Sequence, residues 1–203
     1  MSLTKIDDNT ALIVIDLQKG VVASPTVHPV AEIIGRAAQL ARAFRERGLP
    51  VVLVNVAGSP PGRTDAGTHK FVRPANWAEL AELVPELGHH PDDHLVTKLQ
   101  WGAFHGTTLD HYLRRRSVSQ VVLTGVMTSI GVESTARHAH ELGYNVTLVV
   151  DAMTDRDADA HRHSVEKIFP RLGETATTDD VLKLLKERPV GPTTLDGAQT
   201  APL

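Results

Sequence analysis

The chain has no cysteine among its 203 residues, which excludes disulfide cross-links and any chemistry that needs a thiolate. It has no basic excess either. Against 21 Lys and Arg stand 24 Asp and Glu, a formal charge of −3, so the electrostatic footprint of a nucleic-acid or anionic-membrane binder is missing. Long apolar runs are absent as well, and none approaches the roughly 20 residues that a membrane-spanning helix needs. The opening MSLTKIDDNT is polar and leads only into ALIVI, so no secretory leader is expected and a cytoplasmic protein is the simplest reading. What is present is a hydrophobic content of 41%, enough at this length for one sizeable core. The expectation is one domain over residues 1–189 and a flexible tail over 190–203, where Pro, Gly and Thr occur without periodicity. The expected partner is a small-molecule substrate, with neither nucleic acid nor membrane.

Short apolar runs alternate along the chain with longer stretches of helical spacing, the pattern of βαβ units around a parallel sheet. Residues 11–15, 51–56, 94–97, 121–124, 146–150 and 176–177 read as strands. Residues 30–47 place Ile33, Ile34, Ala37, Leu40, Ala41 and Phe44 at helical intervals and stop at Gly48. Further helices are expected at 78–83, 108–116, 132–142 and 179–186. Residues 57–76, rich in Gly, Pro, Ser and Thr, read as a long loop of the kind that is often functional. The fold class is therefore α/β, a three-layer doubly wound sheet of six parallel strands in the order 3-2-1-4-5-6, with helices on both faces.

In such a sheet, ligands bind beyond the carboxyl ends of the strands, where strand order reverses. Asp16 follows the first strand, Lys98 follows the third, and residues 125–131 join the fourth strand to its helix. With the first and fourth strands adjacent, all three converge on one crevice. Taken singly, Asp16 reads as a turn cap and Lys98 as a solvated strand-end charge. Taken together, a carboxylate and an ammonium hold each other's protonation state.

The segments ALIVIDLQKG around Asp16, HLVTKLQWGAF around Lys98 and TGVMTSIGVESTARHAHELGYNVTLVVDA resemble the isochorismatase-like hydrolases, also called cysteine hydrolases. The resemblance runs over residues 11–185 and is best over 11–20 and 97–151. In that family an Asp, a Lys and a Cys usually form the site, and Gly131 stands where the Cys is matched. The resemblance implies a non-proline cis peptide between Val126 and Met127, no cofactor, and a homo-oligomer, dimer or tetramer. True isochorismatases also lack the nucleophile and have Gly there. Carried over from them, Asp16 is the general acid that protonates an enol-ether methylene carbon, and Lys98 orients it and helps bind an anionic substrate. An oxocarbenium ion forms, water adds and pyruvate leaves, with no covalent enzyme intermediate. The backbone around Met127 and Gly131 lines the pocket.

The chain also departs from that branch. Met127 and Ser129 stand where isochorismatases have an aromatic residue and a His, NVAGSPPGR stands where a Gln-Pro pair follows the second strand, and ESTARHA looks more like the amidase members. A second reading is therefore a member that has lost catalysis and binds a small ligand or assembles with partners on the same fold. A third, an amidase using Ser129 or Ser134, has neither serine at the Cys position.

Trp101 and Phe104 follow Lys98 closely enough to wall a pocket, with ordinary core packing the competing role for Phe104. Gln18 and Asn55, next to strand ends, are candidates to bind a substrate carboxylate or carbonyl, or to serve turns; Val126 is expected to line the same pocket. Arg63 and Arg73 in the long loop either neutralise an anionic ligand or are simply solvated. Of the 11 His, the densest cluster is His89, His90 and His94 with Asp92 and Asp93. It lies in a Gly/Pro loop without a defined ligand face, and the stretch after the second strand has no Asp-x-His pair, so no metal is expected. His138 and His140 point to different faces of a helix, and His161 and His163 are expected to cap or flank one. The arginines at 114–116 end a helix, where cations favour the dipole.

Overall fold

The computed structural model describes residues 3–65, 74–88 and 90–187. Arg73, His89, the tail over 190–203 and part of the 57–76 loop lie outside the described residues. In chain order the elements are β1 (Thr10–Ile15), α1 (Lys19–Val22), α2 (Val30–Arg45), β2 (Val51–Val56), α3 (Trp77–Leu80), β3 (His94–Lys98), α4 (Leu109–Arg115), β4 (Gln120–Val126), α5 (Glu133–Glu141), β5 (Asn145–Thr154), α6 (Ala158–His163), α7 (Phe169–Leu172), β6 (Glu174–Ala176) and α8 (Thr178–Glu187). A wide turn over Thr128–Val132 leads into α5, and another over Ser164–Ile168 joins α6 to α7.

The six strands form one parallel sheet in the order β3-β2-β1-β4-β5-β6, as the alternation of apolar runs predicts. β1 lies in its middle and is buried at every position, because both faces of a parallel sheet are covered by its crossover helices. Its side chains alternate between two cores. Leu12 and Val14 pack with Ile33, Leu40 and Phe44 of α2 and Val181 and Leu185 of α8, while Ala11, Ile13 and Ile15 pack with Leu109 and Leu113 of α4 and Ala136 and Ala139 of α5. No helix among the described residues is long and apolar enough to cross a membrane.

Some boundaries differ from the sequence expectation. β3 includes Lys98 as its last residue. β5 continues to Thr154, past a register shift opposite Leu123 and Gly125. The region over 158–172 is almost entirely helical, so His161 and His163 lie inside α6 rather than capping it, and the cap is Asp157, whose carboxylate accepts from the N–H groups of Asp159 and Ala160.

One glycine fixes how the two central strand ends meet. Gly125 has φ +115, and a Cβ there would fall 2.1 Å from the Ile15 carbonyl oxygen. A side chain would force β4 away from β1 just where strand order reverses.

Candidate active site

Asp16 begins the chain's exit from β1. Its φ is 53, a left-handed conformation that Asp tolerates better than most residues. The strand still holds its backbone: Asp16 N donates to the Val54 carbonyl at 2.9 Å, and its own carbonyl accepts from Gln18 N at 2.8 Å. The side chain is only 8% exposed and Lys98 only 1%. Lys98 Nζ donates to Asp16 Oδ2 at 2.7 Å and to the Trp101 carbonyl at 2.7 Å. Asp16 Oδ1 is buried with no hydrogen-bond partner among the described residues. Burial pushes the Asp16 carboxyl up from its ordinary 3.8 to about 6, against the opposing pull of the Lys98 charge and hydrogen bond. A buried carboxyl with one oxygen held by an ammonium and the other free is poised to carry a transferable proton.

The third segment arrives from β4. The Val126–Met127 peptide is cis, and the turn after it brings Gly131 against Asp16: a Cβ on Gly131 would lie 3.1 Å from Asp16 Oδ2, 3.0 Å from Ile15 Cγ2 and 3.2 Å from the Val126 carbonyl. The turn opens a helix whose first residues lack a local side-chain cap. Asp155, just beyond the end of the neighbouring strand β5 and 3% exposed, supplies one. Its Oδ2 accepts from Ser129 N at 2.7 Å and Ser129 Oγ at 2.8 Å, and its Oδ1 accepts from Arg156 N at 2.7 Å. The buried negative charge suits the positive end of the helix.

Asp16, Lys98 and Gly131 are thus brought together, and other expected site residues are placed differently. Gln18 is 1% exposed, and its amide is spent on backbone: Nε2 donates to Val56 and Leu80 carbonyls at 3.2 Å each, and Oε1 accepts from Val56 N at 2.7 Å. Asn55 likewise donates to the Ala81 carbonyl at 2.9 Å and accepts from Thr97 Oγ1 at 2.7 Å. Both amides tie the end of β2 to its neighbours. Phe104 lies in the core beneath α4 and α5, its ring 5.8 Å from that of Tyr144 at the opposite edge of the sheet, so its packing role prevails. The side chains of Val126 and Met127 belong to the core on the α2 face, and the Met127 carbonyl accepts from Ile130 N and Val132 N at 3.1 Å each. Trp101 is 55% exposed and Ile130 37%, Arg63 is exposed, and Ser129 is engaged by Asp155.

Among the described residues, no three metal-ligating side chains assemble. Asp93 instead binds Arg45 at 2.7 Å, and His94 stacks on Tyr112 with ring centroids 3.8 Å apart. A polar group with no counterpart in the sequence pattern lies against the turn at Thr128. His161 Nδ1 meets Thr128 Oγ1 at 2.9 Å, His28 Nδ1 meets Thr154 Oγ1 at 3.1 Å, and the two rings lie 4.8 Å apart. Burial first, and the neighbouring His28 second, hold the His161 imidazole below its ordinary value, with Asp155 pulling the other way. Asp155 itself carried a legible signal: like Asp16, it is an acidic residue where an apolar strand ends.

Residues 10–180 match the isochorismatase domain. The chain is 40% identical over 194 residues to an uncharacterised isochorismatase family protein of Bacillus subtilis (strain 168), covering 92% of this chain and 100% of that one. It is 29% identical over 188 residues to an isochorismatase of the same organism, covering 90% of this chain and 60% of that one. Among solved structures, an isochorismatase family protein from Burkholderia thailandensis superposes with a TM-score of 0.85 at 42% identity, covering 91% of this chain and 100% of that one.

Proposed function

The chain belongs to the isochorismatase family of hydrolases, and from that premise we propose that it cleaves a vinyl ether of the isochorismate type, with Asp16 as general acid and no covalent intermediate. The observation that carries the proposal is the Asp16 carboxyl: buried, pushed up to about 6, and with Oδ1 unpartnered among the described residues while Lys98 holds Oδ2. An acid with that titration point is about one-tenth protonated at pH 7, and an anionic substrate nearby raises the fraction further.

In the proposed step, Asp16 gives its proton to the terminal methylene carbon of the enol ether. The former double bond supplies the electron pair for the new C–H bond, leaving an oxocarbenium ion. Water adds to the cationic carbon, and the proton that water loses returns to the Asp16 carboxylate. The resulting hemiketal collapses to pyruvate and the ring alcohol, which keeps the ether oxygen. Lys98 fixes the orientation of the Asp16 carboxyl and offsets the charge it acquires.

The surroundings of Gly131 favour this reading over amide hydrolysis. A Cβ there would press on Asp16 Oδ2 at 3.1 Å and Ile15 Cγ2 at 3.0 Å, so a nucleophilic side chain needs its neighbours displaced. The Ser129 hydroxyl donates to Asp155 Oδ2, which also caps the Ser129 N–H, and it does not stand at the position of the family's nucleophile. The test is hydrolysis of isochorismate in ¹⁸O-labelled water. Pyruvate release with an unlabelled ring alcohol is expected; label in the ring alcohol would mean cleavage of the ring C–O bond and would refute protonation of the vinyl ether.

A further inference from the structure

Thr135 lies in α5, fully buried, and neither charged residue of the crevice touches it. Its hydroxyl donates to the Gly131 carbonyl at 2.7 Å and accepts from Ala103 N at 3.1 Å. The first bond is the common back-bond of a helical Thr to the carbonyl four residues earlier. The second is not local. It comes from the segment that follows β3, and it gives the chain of bonds one direction, from the Ala103 N–H through the Thr135 hydroxyl to the Gly131 carbonyl.

Each end of that chain leads to one of the two charges. On one side, Ala103 lies two residues beyond Trp101, whose carbonyl is the second acceptor of Lys98 Nζ at 2.7 Å. Between them, Gly102 sits flush against α5, where a Cβ would fall 2.7 Å from His138 Nδ1. The segment is thus seated on the helix by a close contact at 102, where a side chain would have to displace His138, and by a hydrogen bond at 103. On the other side, Gly131 packs against Ile15 and the carboxylate of Asp16, where a Cβ would fall 3.0 Å from Ile15 Cγ2 and 3.1 Å from Asp16 Oδ2.

We infer that Thr135 is a positioning residue whose single hydroxyl sets the spacing between the segment that holds Lys98 and the turn that packs on Asp16. Without it, the Ala103 amide and the Gly131 carbonyl lose their common partner, the Trp101 carbonyl moves with its segment, and Lys98 follows that carbonyl away from Asp16 Oδ2. The consequence for turnover rests on the proposed function; the consequence for Asp16 itself does not.

Thr135→Val keeps the shape of the side chain and removes both hydrogen bonds, whereas Thr135→Ser keeps the hydroxyl. For pyruvate release from isochorismate, kcat is expected to fall roughly 10- to 100-fold in Thr135→Val, the scale of a small misplacement of a reacting group, and to recover in Thr135→Ser. The second readout needs no substrate. The Asp16 carboxyl, titrated by ¹³C NMR in the unliganded protein, is expected to move above its wild-type midpoint in Thr135→Val, because the ammonium that holds it down is displaced, and to return in Thr135→Ser. Should Thr135→Val not fold, Thr135→Ala, which also removes both hydrogen bonds, is read by the same titration with the same expected rise. A variant that melts earlier yet keeps kcat, KM and the Asp16 midpoint of wild type would show a merely structural role and overturn the inference. If wild type releases no pyruvate, the proposed function fails while the titration still decides this one.

Discussion

Replacing Asp16 by Asn should make the protein more stable at neutral pH while ending its turnover. In the folded chain the Asp16 carboxyl titrates at about 6, against an ordinary value of 3.8. Between those two pH values the folded state holds a proton that the unfolded chain has released. The contribution of Asp16 to stability is therefore complete below about 3.8 and is lost as pH rises through about 6. At about 1.4 kcal/mol for each pH unit between the two values, the loss above pH 6 comes to about 3 kcal/mol. Asn has nearly the shape of the protonated acid, carries no charge at any pH and tolerates the φ of 53, so the variant escapes this cost. The remaining carboxyl groups titrate in both proteins and largely cancel. Urea unfolding of wild type and Asp16→Asn should give nearly equal stability near pH 4 and an advantage of about 3 kcal/mol to the variant near pH 8. A variant less stable than wild type at pH 8 would mean that Asp16 is a carboxylate stabilised by Lys98, and the general-acid argument would fail.

Lys98→Met removes the charge that opposes burial, so the Asp16 midpoint should rise above about 6 and turnover should fall; an unchanged midpoint in a carboxyl NMR titration would contradict the 2.7 Å pairing. Gly131→Ala places a methyl against Asp16 Oδ2 and Ile15 Cγ2. Crowding of about 1–3 kcal/mol, partly offset by about 1 kcal/mol of helix preference, should leave a net loss of roughly 1 kcal/mol in denaturant unfolding together with reduced turnover, and a variant of wild-type activity would show that the gap at 131 is immaterial. Asp155→Ala strips the acceptors from Ser129 and Arg156 and should cost about 2 kcal/mol; hydrogen exchange at the Ser129 amide should speed up by more than at the β1 amides, and equal acceleration at both would argue against a local anchor.

The centre of the sheet is legible because β1, β2 and β4 carry continuous apolar runs rich in β-branched residues, and the all-buried β1 leaves little freedom over where it lies in the order. The strand-end rule then placed Asp16, Lys98 and the turn after β4 at one edge, and they do meet. What sequence could not convey is how a polar side chain is spent. Gln18 and Asn55 stand next to strand ends as a ligand-binding amide would, but the backbone carbonyls of residues 56, 80 and 81, remote in sequence, take up their donors. Phe104 points to the core because Tyr144, 40 positions later, returns beneath it. The full extent of the helical stretch over 158–172 is not legible beyond a helix near His161 and His163, because its first turns are polar and Pro170 interrupts the pattern. Thr135 had no signal at all: a Thr on a buried helix face reads as packing until the segment after β3 is seen to donate to it.

The central claim is that Asp16 supplies the proton for vinyl-ether hydrolysis, and the most direct test is pyruvate release from isochorismate by wild type and Asp16→Asn side by side, each checked for cooperative unfolding. Release by wild type that disappears in a folded Asp16→Asn is the predicted result. Undiminished release by the variant would contradict the assignment of the acid, and no release by either would contradict the substrate class.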